Sequence, residues 1–173
     1  MTRLLLAMTL AALTNHAVAA AGPPAQTFRT GEQRVSLLEL FTSEGCSSCP
    51  PAEEWLSRQK ASQDLWKTFV PVAFHVDYWD YLGWRDPWAS HAHTTRQQAY
   101  ANAWRAESIY TPGFVLNGKE RKGWGRFGGG LKPADGNAGV LEAVSTNGQK
   151  WEVHFTPAKQ IPGKCTVHAA LLD

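Results

Sequence analysis

Cys46 and Cys49 are two of the three cysteines in this 173-residue chain, and only Ser47 and Ser48 separate them. Thiols at that spacing can close into a disulfide and reopen by thiolate attack, exchanging electrons with a thiol partner. The same spacing also serves an inert local disulfide or half of a zinc site. Zinc usually needs further close ligands, and the one other cysteine is Cys165. The flanks favour redox chemistry. An apolar run at 35–41 leads in, Gly45 permits a tight turn, and Pro50-Pro51 opens a helix-like stretch at 52–60. Proline suits a first helical turn, where a backbone N–H has no intrahelical acceptor. Strand, turn, dithiol and helix in that order expose the first sulfur, and the free N–H groups and positive end of the helix favour its thiolate. Cys46 is thus expected to attack a partner disulfide and Cys49 to resolve the mixed disulfide. The negative charge of Glu44 opposes the helix end.

Further residues could join this chemistry. Thr111-Pro112-Gly113 precedes an apolar stretch at 113–116 and an Asn117-Gly118 turn. An ordinary trans turn fits there, but beside an upstream dithiol the cis form is the expected one. Glu39 interrupts the apolar run at 35–41. It is either a buried carboxylate that shuttles a proton during exchange or the partner of a basic group. His75 and Asp77 end the apolar stretch 69–76, and function gathers outside the carboxyl ends of strands in open α/β sheets. They are candidates for contact with Cys46, against a hydrogen-bonded structural His and a turn-capping Asp. Residues 77–88 hold Tyr78, Trp79, Tyr81, Trp84 and Trp88. These rings form an apolar shelf over the dithiol or pack the segment onto the body, and Trp and Tyr serve both ends. Packing is the favoured reading.

Together, the dithiol and the Thr111-Pro112 segment resemble the thioredoxin-like superfamily, in which a cis proline at a strand start packs against the dithiol. The resemblance implies that Pro112 shapes the substrate groove and keeps metals from Cys46 and Cys49, with Thr111, Tyr78, Trp79 and Trp84 as substrate contacts. The string Leu38-Glu39-Leu40-Phe41-Thr42-Ser43-Glu44-Gly45-Cys46-Ser47-Ser48-Cys49-Pro50-Pro51 is similar to a family of secreted bacterial proteins of uncharacterised function. The similarity runs through His75-Val76-Asp77-Tyr78-Trp79-Asp80-Tyr81-Leu82-Gly83-Trp84 to Tyr110-Thr111-Pro112 and covers most of residues 35–125. It implies a thioredoxin-like fold and carries no established activity. Family members usually have Gln after this proline, where this chain has Gly113. They also usually continue with several β-strands after a segment like Ala170-Leu171-Leu172, which implies a truncated member here.

The elements that must position these residues follow from local pattern. Strands are expected at 35–41, 69–76 and 113–116, the last opening a hairpin through Asn117-Gly118. Helices are expected at 52–60 and 90–108. The second carries Ala92, Thr95, Ala99, Ala103 and Ala106 near helical spacing, and Tyr100 with Trp104 at i, i+4. His91 and His93 do not share a helical face, although a loop could gather them with His75. Residues 140–145, 151–156 and 166–172 alternate as three strands, and Cys165 opens the third, either buried and inert or reactive between molecules. Three strands with one half-covered face are marginal alone.

Arg3, an apolar stretch at 4–13 and small residues at 17–21 read as a secretory signal peptide. That apolar core is about half of a membrane span. A cleaved leader leaves no stable membrane anchor and places the chain in a periplasm or outside the cell, where disulfides persist. The expected organisation is a signal peptide at 1–21, a linker at 22–33, an α/β thioredoxin-like domain with a helical, aromatic insertion at 34–127, a linker at 128–138 and an incomplete antiparallel β appendage at 139–173. Net charge is +2 with 18% charged residues, so no strong field or basic run points to nucleic acid. The expected activity is thiol–disulfide exchange with protein or small-molecule thiol partners, and no organic cofactor is implied. The alternatives are a Cu(I) module using Cys46, Cys49 and His75, since soft thiolates favour that ion, or a non-catalytic binding protein with a structural disulfide.

Overall fold

The computed structural model of the chain describes residues 24–123, 131 and 134–169. The expected signal peptide, residues 124–130 and 132–133 at the expected junction of domain and linker, and the last four residues lie outside the described residues. The fold is mixed α/β, with two sheets and two α-helices among the described residues.

Strand β2, Ser36–Thr42, sits inside its sheet, between β3, Phe69–His75, and β4, Gly113–Leu116. It runs parallel to β3 and antiparallel to β4, and β5, Lys119–Glu120, closes the far edge. Every β2 residue except Leu37 is buried, the pattern of a strand covered on both faces. Its pleat sorts side chains by alternation. Leu38 and Leu40 join Phe69, Phe114, Leu131 and, from helix α1, Pro50–Arg58, Ala52 and Trp55 in one core cluster. Phe41 lies on the opposite face with Val76 and Val115, against Tyr100 and Trp104 of helix α2, His91–Trp104.

Glu39 shares the face of Phe41, is wholly buried, and meets Arg96 Nε at 2.6 Å. Tyr100 donates its hydroxyl to the other carboxylate oxygen at 2.7 Å. A buried carboxylate persists only when paired and hydrogen-bonded, so Glu39 has the basic partner and not the shuttle's place on the α1 side. Burial, and then the bond to Glu39, push Tyr100 up to about 12, while the same carboxylate raises Arg96.

Helix α2 begins at Ser90, whose hydroxyl accepts the Ala92 amide, and ends where Arg105 turns left-handed at φ 57°. Its inward face is not the alanine series: Ala92, Thr95, Ala99, Ala103 and Ala106 are exposed, and Thr94, Gln97 and Ala101 are buried. The polar pair can face inward because each has a fixed partner, Thr94 with Asp77 and Gln97 with the Tyr110 carbonyl. Tyr100 and Trp104 stack as expected, with centroids 5.2 Å apart.

The second sheet corrects both ends of the sequence reading. Its order is β1-β6-β7, with β1 at Gln26–Arg29, β6 at Gly139–Ser145 and β7 at Glu152–Pro157. β1 falls inside the expected linker at 22–33; its antiparallel partner β6 comes from the far end of the chain. With β1 on one side of β6 and β7 on the other, residues 166–169 form no strand.

Removing Arg96 leaves Glu39 buried beside a hydroxyl alone. Arg96→Met is expected to cost about 3 kcal/mol in urea unfolding, the low end of the range for breaking a buried pair, because Arg96 is 42% exposed and Tyr100 still donates. Tyr100 titrates at about 12 when folded and about 10 unfolded. Its contribution is therefore complete below pH 10 and lost as pH rises toward 12. Tyr110 is pushed up to about 12 as well, by burial and its bond to Glu120, so Tyr100→Phe should halve the highest-pH component of the tyrosinate absorbance titration rather than abolish it.

Candidate functional site

The chain leaves β2 at Thr42 and turns sharply. Ser43 takes the Gly45 amide on its hydroxyl at 3.1 Å and the Cys46 amide on its carbonyl at 3.0 Å. A second turn carries Ser47 and Ser48, and the Cys49 amide returns to the Cys46 carbonyl. Cys49 is the N-cap of α1, with proline at the first helical positions. Thr42 donates its hydroxyl to Glu53 in the first turn of that helix, joining strand end to helix start.

Cys46 and Cys49 form a disulfide, with Cα atoms 5.4 Å apart. The first sulfur is less open than its position suggests: Cys46 is 3% exposed and Cys49 wholly buried. The helix also contributes fewer donors than expected. Pro50 and Pro51 have no N–H, and the amides of Ala52 and Glu53 both go to the Cys49 carbonyl. The positive end of the dipole remains, and the Ser48 hydroxyl lies 3.6 Å from Cys46 Sγ.

The aromatic segment grips this turn. A Cβ added to Gly45 would lie 3.0 Å from Trp79 Cβ, so the missing side chain lets Trp79 pack closely on the turn. Trp79 Nε1 donates to Thr111 Oγ1 at 2.7 Å. Trp79 thus links the turn before Cys46 to the residue before Pro112, whose peptide bond with Thr111 is cis. Trp84 Nε1 donates to Glu44 at 2.6 Å, although its ring is exposed. Tyr78 donates to Gln97, which in turn holds the Tyr110 carbonyl. Burial raises the Tyr78 phenol above its ordinary pKa. Trp79, Trp84 and Thr111 therefore position the turn and the proline segment, whereas Tyr81 and Trp88 point their rings to solvent.

His75 reaches the same end of the sheet, opposite Thr42 in the β2–β3 register. Its Nδ1 lies 2.7 Å from Asp86 Oδ2, and that oxygen also accepts the Glu44 amide at 2.9 Å. Asp86 Oδ1 takes the Trp88 amide. Burial would push the Asp86 carboxyl up, but the Glu44 amide, His75 and the Trp88 amide outweigh it and hold the carboxyl below its usual value. Asp77 turns elsewhere: Thr94 donates to one oxygen, His91 meets the other, and these contacts, Thr94 first, lower its pKa. His93 meets the His75 carbonyl through Nδ1 at 2.9 Å. The histidines are gathered by hydrogen bonds, and among the described residues no group of three His, Cys, Asp or Glu side chains could hold a metal ion. With their sulfurs joined to each other, Cys46 and Cys49 form no such group with His75 here.

In the sequence Asp86 stands before Pro87, a turn signal, and its two-oxygen role has no local signature. Cys165 is free and exposed, contrary to the buried alternative. Native, oxidised protein is expected to release one equivalent of colour with a thiol reagent such as dithionitrobenzoate, since Cys165 is the free cysteine. Prior reduction should raise this to all three cysteines. Gly45→Ala should cost roughly 1–3 kcal/mol by overpacking against Trp79, measured by thermal unfolding with the disulfide intact.

Comparison with known proteins bears on the whole of this region. No curated protein matches the chain. A crystal structure of a protein from Agrobacterium tumefaciens is 36% identical over 65% of this chain and 57% of that one, with a TM-score of 0.47. This chain thus spans little more than half the length of that protein. No helix of the described residues is long and apolar enough to cross a membrane. The family model described as "Protein of unknown function (DUF1223)" matches residues 37–170, from the second residue of β2 past Cys165, and the chain belongs to that family.

Proposed function

We propose that the chain is a thiol–disulfide oxidoreductase of thioredoxin-like architecture. The observation that carries the reading is the Cys46–Cys49 disulfide at the N-terminus of α1, directly after the central strand β2. Support also comes from the ring of contacts that fixes the turn before it, through Trp79, Trp84 and Asp86. A partner thiolate attacks Cys46, the S–S bond breaks, and the electron pair leaves on Cys49; the reverse sequence oxidises a partner dithiol. Electrons pass between sulfurs, so the exchange needs no organic cofactor. Partners in this reading are protein or small-molecule thiols and disulfides, met in a periplasm or outside the cell after a leader at 1–21 is removed.

With Cys49→Ser, the mixed disulfide at Cys46 has no resolving thiol. This variant should accumulate an adduct with a disulfide-bearing peptide, visible by mass spectrometry, whereas Cys46→Ser should not. Both belong in a Cys165→Ser background, because Cys165 is exposed. A potential far below about −300 mV, with no exchange toward any thiol, would mark an inert structural disulfide and sink the proposal.

A further inference from the structure

Thiol–disulfide exchange moves a proton with each sulfur it opens or closes. Glu39, the carboxylate that the sequence offers for this, lies across the sheet with Arg96. The polar pair on the side of the dithiol is His75 and Asp86. Phe74 stacks on Phe41 at 5.5 Å and meets His93 of α2. The pleat then sends the next residue, His75, to the face that carries α1 and the disulfide. Asp86 is 2% exposed and binds both the imidazole and the Glu44 amide, two residues before Cys46. An ionised carboxylate only accepts, so Nδ1 of His75 carries the hydrogen toward Asp86, and in the neutral ring that leaves the lone pair on Nε2. Nε2 has no partner among the described residues. Since no buried side-chain nitrogen or oxygen among them lacks a partner, Nε2 must reach solvent.

We propose that His75 is the proton-transfer residue of the dithiol and that Asp86 is its positioning residue. The inference rests on the exchange reading above. A partner thiol gives its proton to Nε2, directly or through one water, as its sulfur attacks Cys46. The Cys46–Cys49 bond breaks, the electron pair goes to Cys49, and the imidazolium returns the proton there. The products are the Cys46–partner mixed disulfide and the Cys49 thiol. Asp86 fixes the tautomer and, through the Glu44 amide, ties the imidazole to the turn. Other titratable groups surround the pair: Glu44 from the turn, Glu53 of α1 through Thr42, Asp80 on the Asp86 amide, and the Asp77–His91 pair with His93 on the α2 side.

The test uses the full oxidised chain with Cys165→Ser. Reduction by dithiothreitol is followed by stopped flow from about pH 5.5 to 8.5, the range in which imidazole changes charge. In the parent, the rate should depend on pH less steeply than the thiolate fraction of the reductant. His75→Asn should follow that fraction and be slower by about 10²-fold or more at pH 7. Its equilibrium potential should be unchanged, and added imidazole should restore part of the rate to His75→Ala. Asp86→Asn should shift the pH profile in the same direction. A His75→Asn protein with parent rate and pH profile overturns the inference and leaves the exchange reading intact. So does a slower variant whose potential moves by an equal amount with an unchanged profile, since that marks a structural role. If the parent itself exchanges with no thiol, the underlying reading fails first.

Discussion

Strand β2 is packed on both faces, and that constraint orders the rest of the molecule. Its two-residue period sends Leu38 and Leu40 to one core cluster and Phe41 to the other. Leu38 and Leu40 anchor α1 and so place its N-terminal cysteines at the strand's carboxyl end. Phe41 and Glu39 face α2. A shift of one residue in the β2–β3 register would turn Glu39 toward Trp55 and Ala52, away from Arg96 and Tyr100, and strand a charge in an apolar cluster. The ion pair thus does more than tolerate a buried carboxylate: it makes a one-residue slip of β2 costly.

The dithiol turn depends on a segment distant in sequence. Trp79 contributes bulk against Gly45 and an indole N–H to Thr111, while Asp86 contributes acceptors to Glu44, Trp88 and His75. Aromatic side chains with a polar end suit this work, because one residue can fill space and fix orientation together. The segment 77–88 therefore acts as a brace between the Cys46 turn and the proline segment.

Helix α2 shows the same economy. Ala92, Ala99 and Ala103 face solvent, and Thr94 and Gln97 face inward beside Ala101 because Asp77 and the Tyr110 carbonyl wait there. An inward polar residue with a fixed partner specifies one placement of the helix, where an alanine face would accept several. Through Gln97 the helix also holds the chain just before Thr111, so the two halves of the candidate site share a support.

Local sequence determined the elements around the dithiol. Contiguous apolar runs placed β2, β3 and β4; Pro50-Pro51 set the start of α1; Asn117-Gly118 set the β4–β5 turn; the Cys46-x-x-Cys49 spacing allowed a disulfide without help from elsewhere. These signals act over a few residues, which is why they can be read from the chain alone. Only the tertiary structure decided the roles of Glu39, His75 and Asp86, because each depends on a partner 11 to 57 residues away. It also decided the inward face of α2, since the cost of burying Thr94 and Gln97 is met by groups that periodicity does not register. The strand at Gln26–Arg29 is the extreme case: its ladder lies with β6, more than 110 residues on, and a hydrogen-bond partner at that distance leaves no mark in the local pattern.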